Sequence, residues 1–167
     1  MYKNDPSEIK YKSIEFKDKR IKVNNIPFDL GPLSKIVPTI ERGINGEDII
    51  VSIDDDITIP KRPNVILHLI HECIINDDVV TGVGKNLSHW RLKSNVWKRA
   101  SVPYVQLIEG WTGVAYKRKM MDSTRLKVLS NKSKYCTLSD DLVISYCLFK
   151  SGHKIRSLRM NEHAYNE

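Results

Sequence analysis

A mixed α/β fold, a sheet flanked by helices, is predicted by three observations. Residues 48–53 contain the apolar run Ile49-Ile50-Val51-Ser52-Ile53, rich in β-branched side chains, which reads as a buried strand. A helical pattern follows, with Pro63 suited to its first turn and Val65, Ile66, Leu69, Ile70 and Cys73 on its apolar face. Residues 79–83 then read as the next strand, so the middle of the chain alternates strand and helix.

The remaining elements are read in chain order. Short strands are expected at 13–16 and 20–23. Gly31-Pro32 opens a helix through Glu41 that Gly43 closes, and Pro38 must kink or split it, because proline lacks the N–H and crowds the preceding turn. Residues 84–101 read as a polar, basic loop. Strands are expected at 102–108 and 113–116, on either side of Glu109-Gly110-Trp111-Thr112, and 131–138 reads as loop. Ser139 is a good N-cap for a helix over 140–150 with Gly152 at its stop. A short strand is expected at 154–158, and the last residues read as a tail.

The chain has 167 residues, the length of one domain able to bury a core. Its 41% hydrophobic and 28% charged content is that of a soluble globular protein. A net charge of +7 points to an anionic partner: nucleic acid, a membrane surface or a phosphorylated metabolite. The excess is spread out, however, with no basic tail. Cys73, Cys136 and Cys147 are odd in number and lack metal-site spacing, so neither a disulfide framework nor a zinc site is implied. The first twenty residues have no apolar core for secretion, and no stretch reaches the ~18 apolar residues of a transmembrane helix. A reducing, cytoplasmic setting is expected.

Several motifs are incomplete. Gly82-Val83-Gly84-Lys85 lacks the Ser/Thr of a phosphate loop, where Asn86 stands, and the first glycine, where Val79 stands. His71-Glu72 begins a zinc-protease helix, but Ile75 replaces the second histidine, so His68 and His71 are expected on a polar helix flank. There is no Gly-x-Ser-x-Gly elbow.

Three consecutive carboxylates, Asp54, Asp55 and Asp56, follow the first buried strand. Aspartate is poor inside strands, so they are expected just past its C-terminal end, where open α/β sheets bind ligands. Three adjacent carboxylates repel one another unless a cation neutralises them. A divalent metal with a phosphorylated substrate would do so, because hard cations take oxygen ligands. Upstream, Asp29-Leu30-Gly31-Pro32-Leu33-Ser34-Lys35 sets an acid, a helix start and a lysine close together, and the free N–H groups of such a start attract anions. Downstream, Ser139-Asp140-Asp141 puts two acids into the first turn of a helix, where the dipole stabilises them without any further role.

Taken in order, Asp-x-Gly-Pro-x-x-Lys, strand–Asp-Asp-Asp, Glu-Gly-Trp-x-Gly and Asp-Asp at a helix start resemble the GT-A class of nucleotide-sugar glycosyltransferases, over roughly residues 21–155. The resemblance implies a GT-A-like, Rossmann-like mixed sheet flanked by helices, in a single domain covering 1–167. Only about twenty residues precede Ile21, so part of that class's N-terminal nucleotide-binding unit is expected to be lacking, with either an abbreviated base pocket or a truncated N-terminus. It implies that Asp54 and Asp55 face the donor's ribose or sugar, with Asp55 the least critical of the triplet, and that Asp56 binds Mn²⁺ or Mg²⁺. Asp29 and Lys35 would help hold the nucleotide. Gly110 and Trp111 would shape the acceptor side; Trp111 is equally well read as a core residue beside a turn. Asp141 takes the position of the catalytic base, with Asp140 its neighbour in the pair. Many members use a further histidine near the C-terminus as metal ligand, for which His163 is the candidate, although a tail histidine is by itself an ordinary surface residue.

The implied reaction is transfer of a sugar from a nucleoside diphosphate sugar to an acceptor hydroxyl, on a glycan, a protein or a lipid-linked molecule, with inversion. Two other classes use part of the same pattern. A metal-dependent nuclease or phosphotransferase also wants clustered carboxylates, but would need a second His/Asp metal cluster and leaves Glu-Gly-Trp unexplained. A non-catalytic nucleic-acid-binding module would use Trp90-Arg91-Leu92-Lys93 and Trp97-Lys98-Arg99, which interleave aromatics with cations. A basic acceptor-side loop accounts for them as well, and nucleic acid is not the expected partner.

Overall fold

The computed structural model describes residues 17–24, 26, 29–43, 45–54, 64–86 and 103–158. Five strands form one mixed sheet: β1 (Ile49–Ser52), β2 (Val79–Lys85), β3 (Tyr104–Val105), β4 (Leu107–Lys117) and β5 (Ile155–Ser157), in the order β1-β4-β2-β5-β3. β4 runs antiparallel to both β1 and β2, β5 runs parallel to β2, and β3 closes the far edge antiparallel to β5. The helices are α1 (Val37–Glu41), α2 (Asn64–Asn76), α3 (Ser123–Ser130), α4 (Lys134–Leu138) and α5 (Asp140–Lys150).

The expected unit of strand, helix and strand is present as β1–α2–β2. Its two strands are not neighbours, because β4 inserts between them in the opposite direction. Alternation along the strands divides the core between two faces. Val80 and Ala115 meet Leu69 and Cys73 of α2 on one side. Val79, Ile108, Val114 and Tyr116 meet Val37, Ile40, Leu126, Ile144 and Leu148 on the other.

Pro38 splits the first helix as expected. A 3₁₀ turn covers Gly31–Lys35, Ile36 interrupts it, and α1 restarts with Pro38 in its first turn, where the missing N–H costs nothing. Four expectations need correction. Residues 20–23 are no strand: the Asp18 carboxylate accepts the Arg20 N–H at 3.0 Å and its guanidinium at 2.6 Å, which holds the segment in an exposed turn. The strand expected at 102–108 is divided into β3 (Tyr104–Val105) and the start of β4, and β4 bulges at Glu109-Gly110-Trp111-Thr112 and continues through the second expected strand. Part of 131–138 is helical, because Ser133 Oγ accepts the Cys136 N–H at 3.2 Å and starts α4. Ser139 occupies the N-cap position of α5 but its side chain makes no capping bond. The strand expected at 13–16 and most of the loop at 84–101 lie outside the described residues.

Candidate functional site

The bulge in β4 builds the site. Thr81 pairs with Val114 and Val83 with Glu109, so two steps along β2 correspond to five along β4, and three residues of Gly110–Gly113 are extra. Such bulges re-aim the chain beside functional sites. Thr112 stabilises this one: its hydroxyl accepts the Val83 N–H at 2.9 Å and donates to the Glu109 carbonyl at 2.7 Å. Gly113 sits at φ +85°, a left-handed conformation that disfavours any side chain.

On the other side of β4, the pairing with β1 covers only residues 114–117. Further toward the start of β4 the N–H groups of Ile108 and Gly110 have no strand to meet. Side chains of α5 take their place. Ser145 Oγ accepts the Ile108 N–H at 3.0 Å, and the Asp141 carboxylate accepts the Gly110 N–H at 3.0 and 3.1 Å through its two oxygens. Asp141 and Ser145 are one helical step of four apart, so a single face of α5 fills the gap. Gly110 permits this approach: a Cβ there would lie 2.6 Å from Asp141 Oδ1. Gly110 is thus a clamp on Asp141.

Asp54 lies just past the end of β1, as expected for the ligand edge of the sheet. It is ion-paired to Lys35, the last residue of the 3₁₀ turn. The same ammonium forms an ion pair with Asp140 Oδ2 at 2.9 Å. Lys35, Ser52, Gly110, Tyr116, Asp140 and Asp141 line one narrow crevice.

Electrostatics separates the acids. Burial pushes the Asp141 carboxyl up to about 6; the Gly110 N–H and Lys35 pull it down, while the charges of Asp140 and Asp54 push it further up. Burial also works against the charge of Lys35, but Asp54 and Asp140 outweigh it and hold its pKa above the ordinary lysine value. Two to three negative charges therefore surround one positive charge. Asp141, with a pKa near the working range, is suited to take and release a proton.

Asp29 does not join this group. Its Oδ1 accepts the Gly31 N–H at 2.7 Å, and Ser34 Oγ accepts the Leu30 N–H at 3.0 Å. The N–H groups leading into the 3₁₀ turn are thus occupied internally, against the expectation of an anion-attracting helix start. Trp111 is half-buried on the bulge. Gly82-Val83-Gly84-Lys85 lies within β2, and Lys85 is paired with Glu109, so the segment is no phosphate loop. His68 and His71 are exposed on α2 beside Glu72, a polar flank as expected. Cys73, Cys136 and Cys147 are free thiols.

Asp55, Asp56, His163, Trp90 and Trp97 lie outside the described residues. Among the described residues no group of three His, Cys, Asp or Glu could hold a metal ion. Asp54 and Asp140 converge instead on the Lys35 ammonium. The described carboxylates thus do not form a metal site by themselves, and a metal would depend on Asp56. Ser145, Thr112 and Tyr116 join the site without having been singled out in the sequence. Ser145 left one trace, a polar residue four places after Asp141 in an otherwise apolar helix. No helix among the described residues is long and apolar enough to cross a membrane. No protein-family model, curated protein or solved structure matches the chain.

Proposed function

We propose that this protein is a glycosyltransferase of GT-A type that moves a sugar from a nucleoside diphosphate sugar to an acceptor hydroxyl. The observation that supports this is a convergence. Lys35, Asp54, Gly110 and the Asp140–Asp141 pair belong to four separate sequence blocks; Lys35, Gly110, Asp140 and Asp141 line one crevice, and Asp54 is ion-paired to its Lys35. Lys35 is the cation available to a donor phosphate, and Asp54 lies beside it at the sheet edge. Asp141 is the general base: it takes the acceptor's proton as the hydroxyl attacks the anomeric carbon, with inversion. Its raised pKa keeps it basic enough for that step, and such assistance is worth roughly 10² to 10⁴ in rate. Mn²⁺ or Mg²⁺ belongs to this reading through Asp56, and would neutralise charge on the departing nucleoside diphosphate.

A thermal-shift panel of nucleoside diphosphate sugars, with and without Mn²⁺, tests the class. Selective stabilisation by one donor is expected, since a ligand that binds only the folded state raises the melting temperature. Indifference to every donor in both conditions would remove the glycosyltransferase reading.

A further inference from the structure

We infer that the outer face of α4 and α5 docks on an anionic bilayer surface. A surface helix normally turns polar side chains to solvent. The solvent stripe of α5 is instead Leu142, Tyr146 and Phe149, at positions i, i+4 and i+7, exposed by 44%, 48% and 72%. Lys150 is its only charged continuation. α4, which leads into α5 and packs against it, adds Tyr135 and Leu138, exposed by 69% and 66%. Five large apolar side chains on two packed helices form a patch rather than scattered exceptions.

The charge around the patch chooses its occupant. Residues 123–158 hold seven Lys or Arg and two Asp or Glu; Arg125, Lys127 and Arg156 are paired with Asp122, Glu41 and Asp78 outside that stretch, and the remaining four cations are Lys132, Lys134, Lys150 and Lys154. The two acids are Asp140 and Asp141, which face the crevice. Lys132, Lys134 and Lys150 rim the apolar stripe and form no ion pair among the described residues, and the Lys134 ammonium lies 5.2 Å over the Tyr135 ring. Aromatic and leucine side chains centred in a lysine rim are what an anionic lipid interface takes: the apolar groups enter the headgroup boundary while the lysines meet the phosphates. A second copy of the chain would set like charges against each other. The contrast with α2 is direct, because its exposed Leu67, Ile74 and Ile75 share the helix with His68, His71 and Glu72 and with no Lys or Arg. α5 begins at the Asp140–Asp141 pair, so the crevice lies at one end of the docking helix. On the glycosyltransferase reading, and only on it, the acceptor is then a lipid-borne hydroxyl.

Cosedimentation of the full chain with vesicles tests the docking without requiring any activity. Vesicles of phosphatidylcholine with phosphatidylglycerol should carry the protein down, phosphatidylcholine alone should not, and added salt should release it. Phe149→Ser should weaken partitioning by about tenfold, and Lys134→Ala and Lys150→Ala by about fivefold each. Ile75→Ser on α2 should change nothing. Failure to bind either vesicle would overturn the inference, as would equal losses in Phe149→Ser and Ile75→Ser. A dimer that Phe149→Ser dissolves, seen by sedimentation velocity without vesicle binding, would assign the face to a second copy instead. A donor-stabilised protein that ignores vesicles would refute docking and leave the transferase reading intact.

Discussion

From Val114 to Lys117, β4 lies between two strands, and its side chains alternate between the two halves of the core. From Leu107 to Gly110 it has β2 on one side only, and on the other its N–H groups go to Asp141 and Ser145 of α5. The first half is held by a backbone ladder. The second is held by side chains, one of which is a carboxylate whose ionisation the fold disfavours. A strand partner would satisfy the Gly110 N–H with a carbonyl at no such cost. Using Asp141 there stabilises the fold less and leaves a titratable oxygen at a crevice, the kind of local expense that accompanies function.

The difference between the halves can be broken at Gly110. Gly110→Ala puts a Cβ 2.6 Å from Asp141 Oδ1 and must push the carboxylate away. Sugar transfer should fall by about 10²-fold, since displacement of a reacting group by an ångström has that effect. Ala115, in the other half, packs its side chain against α2 on the opposite face of the sheet; Ala115→Gly should lower stability and leave the rate per folded molecule unchanged. Rate assays normalised to the folded fraction measure both.

Lys35 sharpens the electrostatic side. Lys35→Ala leaves Asp54 and Asp140 without their shared cation. Affinity for a nucleoside diphosphate should fall about tenfold, and affinity for the free nucleoside much less. In the parent, kcat/KM should fall tenfold per pH unit below about 6, where Asp141 takes up a proton. Because Lys35 lowers the Asp141 pKa, the midpoint should move upward in Lys35→Ala. A midpoint that stays in place would mean that another group sets the profile.

The smallest effect belongs to Tyr116. Its hydroxyl is buried without a hydrogen-bond partner among the described residues, and burial pushes its pKa up. Tyr116→Phe should stabilise the protein by about 1 kcal/mol in denaturant titration. A loss of stability would show that the hydroxyl has a partner, such as a buried water.

The ladder-held half was the legible half. Short apolar runs announced β1, β2 and the end of β4, the apolar face of α2 was readable from periodicity, and the span of α5 from Ser139 and Gly152. The β4 bulge was not, because it depends on the Thr112 hydroxyl meeting a backbone N–H 29 residues away. α3 was missed because its cap, Asp122 accepting the Arg125 N–H at 3.0 Å, precedes a helix with too little apolar periodicity to show. At the site, residue types were readable and partners were not. Lys35, Asp54 and Asp141 stood out in sequence, whereas the bond from the Gly31 N–H to Asp29 was not foreseen. The clamp by Gly110 and the support from Ser145 required the packing of α5 on β4.

On the glycosyltransferase reading, Asp141 is kept for chemistry at the expense of stability. Asparagine has nearly the same shape and keeps an acceptor for the Gly110 N–H, but carries no charge to bury. The sign follows from the raised pKa. The native state holds the Asp141 proton more tightly than the unfolded chain, so its contribution to stability is present below about pH 4 and lost as pH rises through about 6. Asp141→Asn should therefore be more stable than the parent at pH 8, by roughly 1 to 2 kcal/mol, and no more stable at pH 4. Its sugar transfer should fall by about 10² to 10⁴ with donor affinity unchanged. The direct measurement is stability and single-turnover transfer on the same Asp141→Asn sample at pH 8. A stabilised, inactive variant is the predicted result, and a variant that is destabilised, or that transfers sugar at the parental rate, would contradict the claim.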